Sequence, residues 1–168
     1  MLDNQDELFV VVDAHDMILG YRTRYDCHHD KTLIHRVTGV FVFDGDRFLL
    51  QKRSMKKDLQ PGVWGVSVGG HVLKGETYKQ AARREMQEEL GVTPPPLRLL
   101  KQFTFHGTQE TEISHLFTCE HKGPFILDPD EVSEVRFFTE QELKDGLTDG
   151  TIRLSECAME TMRQIHIL

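Results

Sequence analysis

Three glutamates, Glu85, Glu88 and Glu89, are the side chains of this 168-residue sequence whose spacing could do chemistry. At about 100° per residue, a helix projects them within an arc of about 100° on one face. As helix residues they are poorly placed. Glu85 repels Glu88 at i,i+3 and Glu89 at i,i+4, each at about 0.2–0.5 kcal/mol. Glu88 and Glu89 also fall in a last turn, where the macrodipole disfavours anions by about 0.3–1 kcal/mol apiece. A divalent cation reverses that sign. Hard oxygen donors on one rigid face suit Mg²⁺ or Mn²⁺, ions that also hold phosphate oxygens. Without an ion, the same residues form a solvated acidic face, partly offset by Arg83 and Arg84.

The element that must carry them is a helix over residues 77–90. Good helix formers fill it, Gly91 is a favoured closing residue, and Pro94-Pro95-Pro96 forbids continuation. Ala82, Met86 and Leu90 make an apolar stripe that packs on a sheet. Strands for that sheet are legible along the chain. Residues 8–12 and 18–24 form a hairpin, and the polar, histidine-rich residues 26–36 read as a connection. Residues 37–43 and 47–52 flank the Asp44-Gly45 turn signal. Residues 53–62 read as a basic loop, and 63–68 as a strand broken by Gly69-Gly70. Further strands fall near 97–105, 113–120 and 132–138. A short helix starts at Thr139, where TEQEL fits a capping box, and a last helix spans about 155–166 with Ser155 as N-cap. Seven or so strands, mostly antiparallel, with helices on the faces make an α+β layered fold. The sequence reads as one domain over 1–168: an N-terminal hairpin and connection over 1–34, a core over 35–145, and a C-terminal helix over 155–168.

Composition narrows the function classes. Asp plus Glu is 27 and Lys plus Arg 20, giving a net charge of −7, with 39% hydrophobic residues. These are ordinary globular values and exclude collagen, coiled-coil rods and wholly disordered chains. The longest purely apolar run, residues 8–12, is far short of the roughly 20 needed to span a bilayer. The acidic start lacks the basic-then-apolar order of a signal peptide. Cys27, Cys119 and Cys157 are an odd count without metal-type spacing, so the expected setting is reducing and cytoplasmic. The negative balance argues against general nucleic-acid binding. There is no internal repeat, and nothing specifies an oligomeric state.

Gly70, Glu76 and the run Arg84-Glu85-Met86-Gln87-Glu88-Glu89-Leu90-Gly91-Val92 together resemble the full signature of the Nudix hydrolases. Average residue usage puts a chance match on the order of one in ten million, so the likeness is specific. It implies an α/β/α sandwich with a mixed, largely antiparallel sheet and a catalytic loop-helix-loop. It implies that Glu85, Glu88 and Glu89 bind Mg²⁺ or Mn²⁺, that the Gly70 carbonyl adds a ligand, and that Glu76 and Arg84 pair to hold the loop. The implied chemistry is attack of water on a small-molecule diphosphate, with Glu88 or Glu89 as base. The physical logic stands beside the family: a diphosphate is highly anionic, and metal ions neutralise it and acidify water.

The flanking residues resemble the isopentenyl-diphosphate isomerase branch, through HHDKTLIHR, KRSMKKDLQPGVW, SVGGHV and ETEISHLF. That branch implies a separate divalent-metal site at His28, His35, His71, Glu110 and Glu112. Two departures argue against isomerase activity. Gly69 stands where the isomerases have a catalytic cysteine, and Phe103-Thr104-Phe105 supplies no tyrosine. The glutamate set is also intact, so the chain reads as a hydrolase of a nucleoside-diphosphate-like or isoprenoid-diphosphate-like substrate. An isomerase and a non-catalytic diphosphate-binding module are the alternatives. In this topology Lys52, Arg53, Lys56 and Lys57 face the helix as a phosphate clamp or a solubilising loop, with Arg53 and Lys57 the favoured pair. Trp64, Phe103, Phe105 and Phe117 read as core, Cys119 and Cys157 as buried thiols, and Cys27 as a neighbour of His28. Glu131 and Glu134 are further carboxylates on the same side, either an alternative base or a solvated strand edge.

Overall fold

The 11-residue strand β3 (Ile34–Asp44) organises the molecule. Val40 and Val42 project to one face and Phe41 to the other, as the two-residue strand period requires. Both faces are therefore covered. The computed structural model describes residues 4–57 and 59–168. The first three residues of the acidic start and Asp58 of the basic loop lie outside the described residues.

The hairpin of β1 (Leu8–Val12) and β2 (Ile18–Thr23) pairs through β1 with the start of β3. On the other side, β4 (Arg47–Arg53) returns antiparallel but meets β3 only at Phe43–Phe48 and Asp44–Arg47. Beyond that point the strands part. β6 (Val68–His71) takes over the edge of β3 from Val37 to Val40. β4 pairs instead with β5 (Trp64–Gly65) and β9 (Val132–Phe138). β8 (Thr111–Glu120) runs parallel to β3 and carries β7 (Arg98–His106) antiparallel on its outer side. The sheet is mixed and largely antiparallel, with a split between β4 and β6.

Helix α2 (Tyr78–Leu90) covers one face. Thr77 and Gln80 close a reciprocal capping box at its start. Gly91 ends it at φ +63°, where any Cβ would strike Ile126. Ala82, Met86 and Leu90 are fully buried against Val40, Val42 and Leu49. On the opposite face, α3 (Glu140–Thr148), capped by Thr139, and α4 (Glu156–Gln164), capped by Ser155, cover Phe41, Phe48, Leu50 and Leu116. This is the α/β/α sandwich. Among the described residues, no helix is long and apolar enough to cross a membrane.

Two local readings are corrected. Residues 26–36 are not simply a connection. Arg24–His29 form a helix, α1, capped by Thr23, and Ile34–Arg36 already belong to β3. Six residues are too few to show an apolar period, which hides such a helix from the sequence. Nor do Gly69 and Gly70 break a strand. They pair with Gly39 and Thr38 inside β6, and the interruption falls earlier, at Val66-Ser67. Ser67 explains it. Its buried hydroxyl accepts the Val42 N–H at 2.8 Å and donates to the Leu49 carbonyl at 2.5 Å, stitching the base of the split.

Candidate active site and histidine centre

The three α2 carboxylates are not equivalent. The Glu88 side chain is 53% exposed and that of Glu85 13%, while Glu89 is 5% exposed. Glu89 reaches into the split. Its Oε2 accepts the Gly69 N–H from β6 and the Gln51 Nε2 from β4, both at 3.1 Å. Glu85 lies under Gly70, where even a methyl group would run into its Oε1. Burial pushes the Glu85 carboxyl up to about 7, and burial plus the charge of Glu85 pushes that of Glu89 well above its usual range.

Arg84 is the nearby counter-charge. Nη1 donates to Glu85 at 2.7 Å and Glu88 at 3.0 Å, and Nη2 to the His71 carbonyl at 3.0 Å. Nε and Nη2 hold Glu76 at 2.8 and 3.0 Å, and Glu76 also accepts the Leu73 N–H. The Glu76–Arg84 pair is therefore formed, tying the loop after β6 to the helix. Glu131 also faces Glu85 and Glu89, with its carboxylate on Lys57 Nζ at 2.7 Å. Two carboxylates buried side by side, Glu85 on Arg84 and Glu89 on two N–H donors, are costly to ionise without further positive charge. An all-oxygen donor set of this kind fits a hard divalent cation.

A second cluster stands on the other side of the sheet. His28 lies in the last turn of α1, His35 lies on β3, His71 ends β6, Glu110 precedes β8 and Glu112 lies on it. Donor atoms of His28, His35, His71 and Glu110 all fall within 4.8 Å of one another. His28 Nε2 is 3.3 Å from His71 Nε2 and 3.1 Å from Glu110. His35 Nε2 is 3.8 Å from Glu110 and from Glu112. Phe9 of β1 backs the group, its ring parallel to His71 with centroids 3.9 Å apart. Burial lowers His35 to about 3 and His71 well below its usual range, so both rings are neutral and offer lone pairs. His35 is fully buried, yet neither ring nitrogen has a hydrogen-bond partner among the described residues. An orphaned buried polar group costs about 1–3 kcal/mol. A cation bound by imidazoles and carboxylates removes that cost, so these residues fit a metal ion.

A cavity of about 160 Å³ is lined by Gln51, Gly69 and Gly70, which flank the α2 carboxylates, and by His28, His71, Glu110 and Glu112; the α2 carboxylates themselves are not among its lining residues. Arg53 lines it, its Nε donating to the Leu59 carbonyl at 3.1 Å. Lys57 is not among the lining residues, its Nζ being on Glu131. Lys56 is surface-paired with Asp130, and Glu134 is exposed opposite Lys52 on the sheet edge. Trp64, Phe103, Phe105 and Phe117 are core, with Trp64 edge-on to Phe138. Cys119 and Cys27 are buried free thiols, Cys27 packing on Phe9 outside the donor group.

Four residues escape the sequence reading as parts of the site: Phe9 behind His71, and Arg24, Gln51 and Cys157, which line the cavity. Arg24 is 6% exposed and lines the cavity one turn before His28; that i,i+4 spacing was its only local signal. Cys157 is half-buried rather than buried, and from α4 its Sγ donates to Glu112 at 3.6 Å. Burial and the Glu112 charge keep this thiol protonated.

A family model described as the NUDIX domain matches residues 33–156. An uncharacterised Nudix hydrolase of Yersinia pestis is 35% identical over 158 residues, covering 94% of this chain and 82% of that protein. Isopentenyl-diphosphate Delta-isomerase 2 of Photorhabdus laumondii is 36% identical over 138 residues, covering 79% and 77%. Among solved structures, DR0079 from Deinococcus radiodurans superposes with a TM-score of 0.80 at 27% identity, covering 94% of this chain and 99% of that one.

Proposed function

The chain belongs to the Nudix family of pyrophosphohydrolases, and from that premise we propose that it cleaves the diphosphate linkage of a small molecule with the help of a divalent cation. The substrate is a nucleoside-diphosphate-like or isoprenoid-diphosphate-like compound, and the ion is Mg²⁺ or Mn²⁺. Glu85, Glu88, Glu89 and the Gly70 carbonyl would hold that ion beside α2. When bound, it neutralises the diphosphate and acidifies the attacking water. Glu89 accepts the proton of that water. The observation that carries this reading is the placement of Glu89 in the split, clamped by Gln51 and Gly69, both of which line the cavity. Arg53 and Arg24, which line the same cavity, bind phosphate oxygens. Lys57 steers Glu131 and adds positive potential at that end. His28, His35, His71, Glu110 and Glu112 would hold a second ion, in a reducing cytoplasmic setting that keeps Cys157 a thiol.

The test is phosphate release from a panel of nucleoside-diphosphate and isoprenyl-diphosphate compounds, with Mg²⁺ and Mn²⁺, in ¹⁸O-water. Label in the phosphate product is expected, and Glu89→Gln must abolish it. Retention of label release by Glu89→Gln would sink this assignment. One observation favours a second reading, double-bond isomerisation: the cavity brings the Cys157 thiol to Glu112, an acid and a base at one spot. That activity would move a double bond and release no labelled phosphate.

A further inference from the structure

Gln51 stands where the fold would be better served by an apolar side chain. It lies on β4 two residues after Leu49, on the face that packs under α2, and it is only 4% exposed. A leucine there would continue the apolar row. Instead the position carries an amide, and that amide is half used. Nε2 donates to Glu89 Oε2 at 3.1 Å, from the wall of the split opposite Gly69. Oε1 is buried with no hydrogen-bond partner among the described residues. The donation to a carboxylate fixes which amide atom is which, so the orphan is an acceptor. Both amide atoms share one carbon, so a molecule donating to Oε1 stands beside the carboxylate that Nε2 holds. Gln51 also lines the cavity.

We propose that Gln51 is a positioning residue of the hydrolytic site: Nε2 fixes the Glu89 carboxylate, and Oε1 accepts a hydrogen bond from the attacking water. The inference rests on the hydrolytic reading of Glu89 and extends it to the opposite wall of the split. The backbone N–H of Gly69 holds the same Glu89 oxygen from β6, and Gln51 supplies a side-chain tether to it, the only one among the described residues. It turns Glu89 toward a water whose second hydrogen is already committed to Oε1. Loss of the tether lowers turnover rather than substrate affinity, because no atom of the diphosphate needs to touch Gln51.

The experiment uses the full chain with Mn²⁺ and the uncleavable diphosphate methylenediphosphonate, followed by electron paramagnetic resonance. An ion held by the histidines carries ¹⁴N modulation in its spin echo, whereas an ion beside α2 has oxygen donors, which separates the two. Gln51→Met keeps the volume and removes both hydrogen bonds. We expect it to weaken the all-oxygen Mn²⁺ by about 10–100-fold, the usual effect of removing a group that orients a ligand. With ADP-ribose and isopentenyl diphosphate as turnover probes, kcat should fall by a similar factor, KM should change less than about threefold, and the thermal midpoint should hold or rise. Unchanged Mn²⁺ affinity, or a loss confined to KM, overturns the proposal. If Gln51→Met does not fold, Gln51→Asn, which keeps the amide but shortens its reach, carries the same expectation. Failure of both to fold makes Gln51 a structural residue and also overturns it. Glu89→Gln is the control. If it binds Mn²⁺ and methylenediphosphonate as the native chain does, the hydrolytic reading fails; if it loses them while Gln51→Met does not, the role of Gln51 alone fails.

Discussion

The acidic cluster on α2 and the histidine cluster are costly to bury for opposite reasons. At the α2 end the difficulty is charge: Glu85 and Glu89 are buried together, with Arg84 shared among Glu76, Glu85 and Glu88. At the histidine end it is poorly met polarity: His35 is neutral, boxed in by Phe9 and the other rings, and its Nε2 stands 3.8 Å from Glu110 and Glu112, too far for a good hydrogen bond. The first end is built by one rigid helix facing one glycine. The second draws on α1, β3, β6, β8 and the turn before it. The lesson is that a metal-ready site can store its cost as repulsion or as an unmet hydrogen bond, and the two respond differently to mutation and pH.

The largest expected effect is at the charged end. Glu89→Gln should lower kcat by about 10²–10⁴, the range for losing a general base, with an unchanged circular dichroism spectrum. Near-native turnover would erase the distinction between the two ends. Next comes His35→Leu, which removes the orphaned nitrogens. It should cut the bound transition metal by one ion per chain, read by elemental analysis. It should also raise the melting temperature of the metal-free protein, because an uncompensated buried polar group costs about 1–3 kcal/mol. A lower metal-free melting temperature would show that His35 stabilises the fold rather than awaiting an ion.

A pH titration sharpens the contrast. The folded-state carboxyl of Glu85 is raised to about 7 from its ordinary 4.5, so at this group the folded chain binds more protons than the unfolded one between those values. Stability then falls as pH rises. Relative to a Glu85→Gln variant, denaturant midpoints of the metal-free chain should fall as pH rises from about 4.5 to 7, and saturating Mg²⁺ should flatten that difference. His35, lowered to about 3 in the folded chain, takes up its proton only on unfolding below about pH 6.5 and so adds an opposing slope, with stability rising as pH rises. The smallest effect is at Phe9→Leu, which keeps the core apolar but removes the ring behind His71. It should cost under about 1.5 kcal/mol in urea unfolding and weaken the histidine-bound ion by less than tenfold.

How much of this was legible depends on distance along the chain. The α2 site was read from spacing because helical pitch converts sequence separation into angle, and Thr77, Gly91 and the Ala82-Met86-Leu90 stripe punctuate that helix locally. The five residues of the histidine centre were found only through resemblance, since no single element relates them. Phe9, Gln51 and Cys157 carried no signal. Phe9 looked like any strand phenylalanine, and Gln51 like a polar residue near a strand end.

The sequence by itself determined the elements, the acidic helix face and the chemistry its oxygens suit, because each follows from contacts a few residues apart. Only the tertiary structure decided that β6 displaces β4 from the edge of β3, opening a gap into which one of the three glutamates, Glu89, is drawn. That outcome is a competition between strand pairings about 20 residues apart, settled by the burial of Ser67 and the two glycines of β6. No local pattern encodes the winner of such a competition.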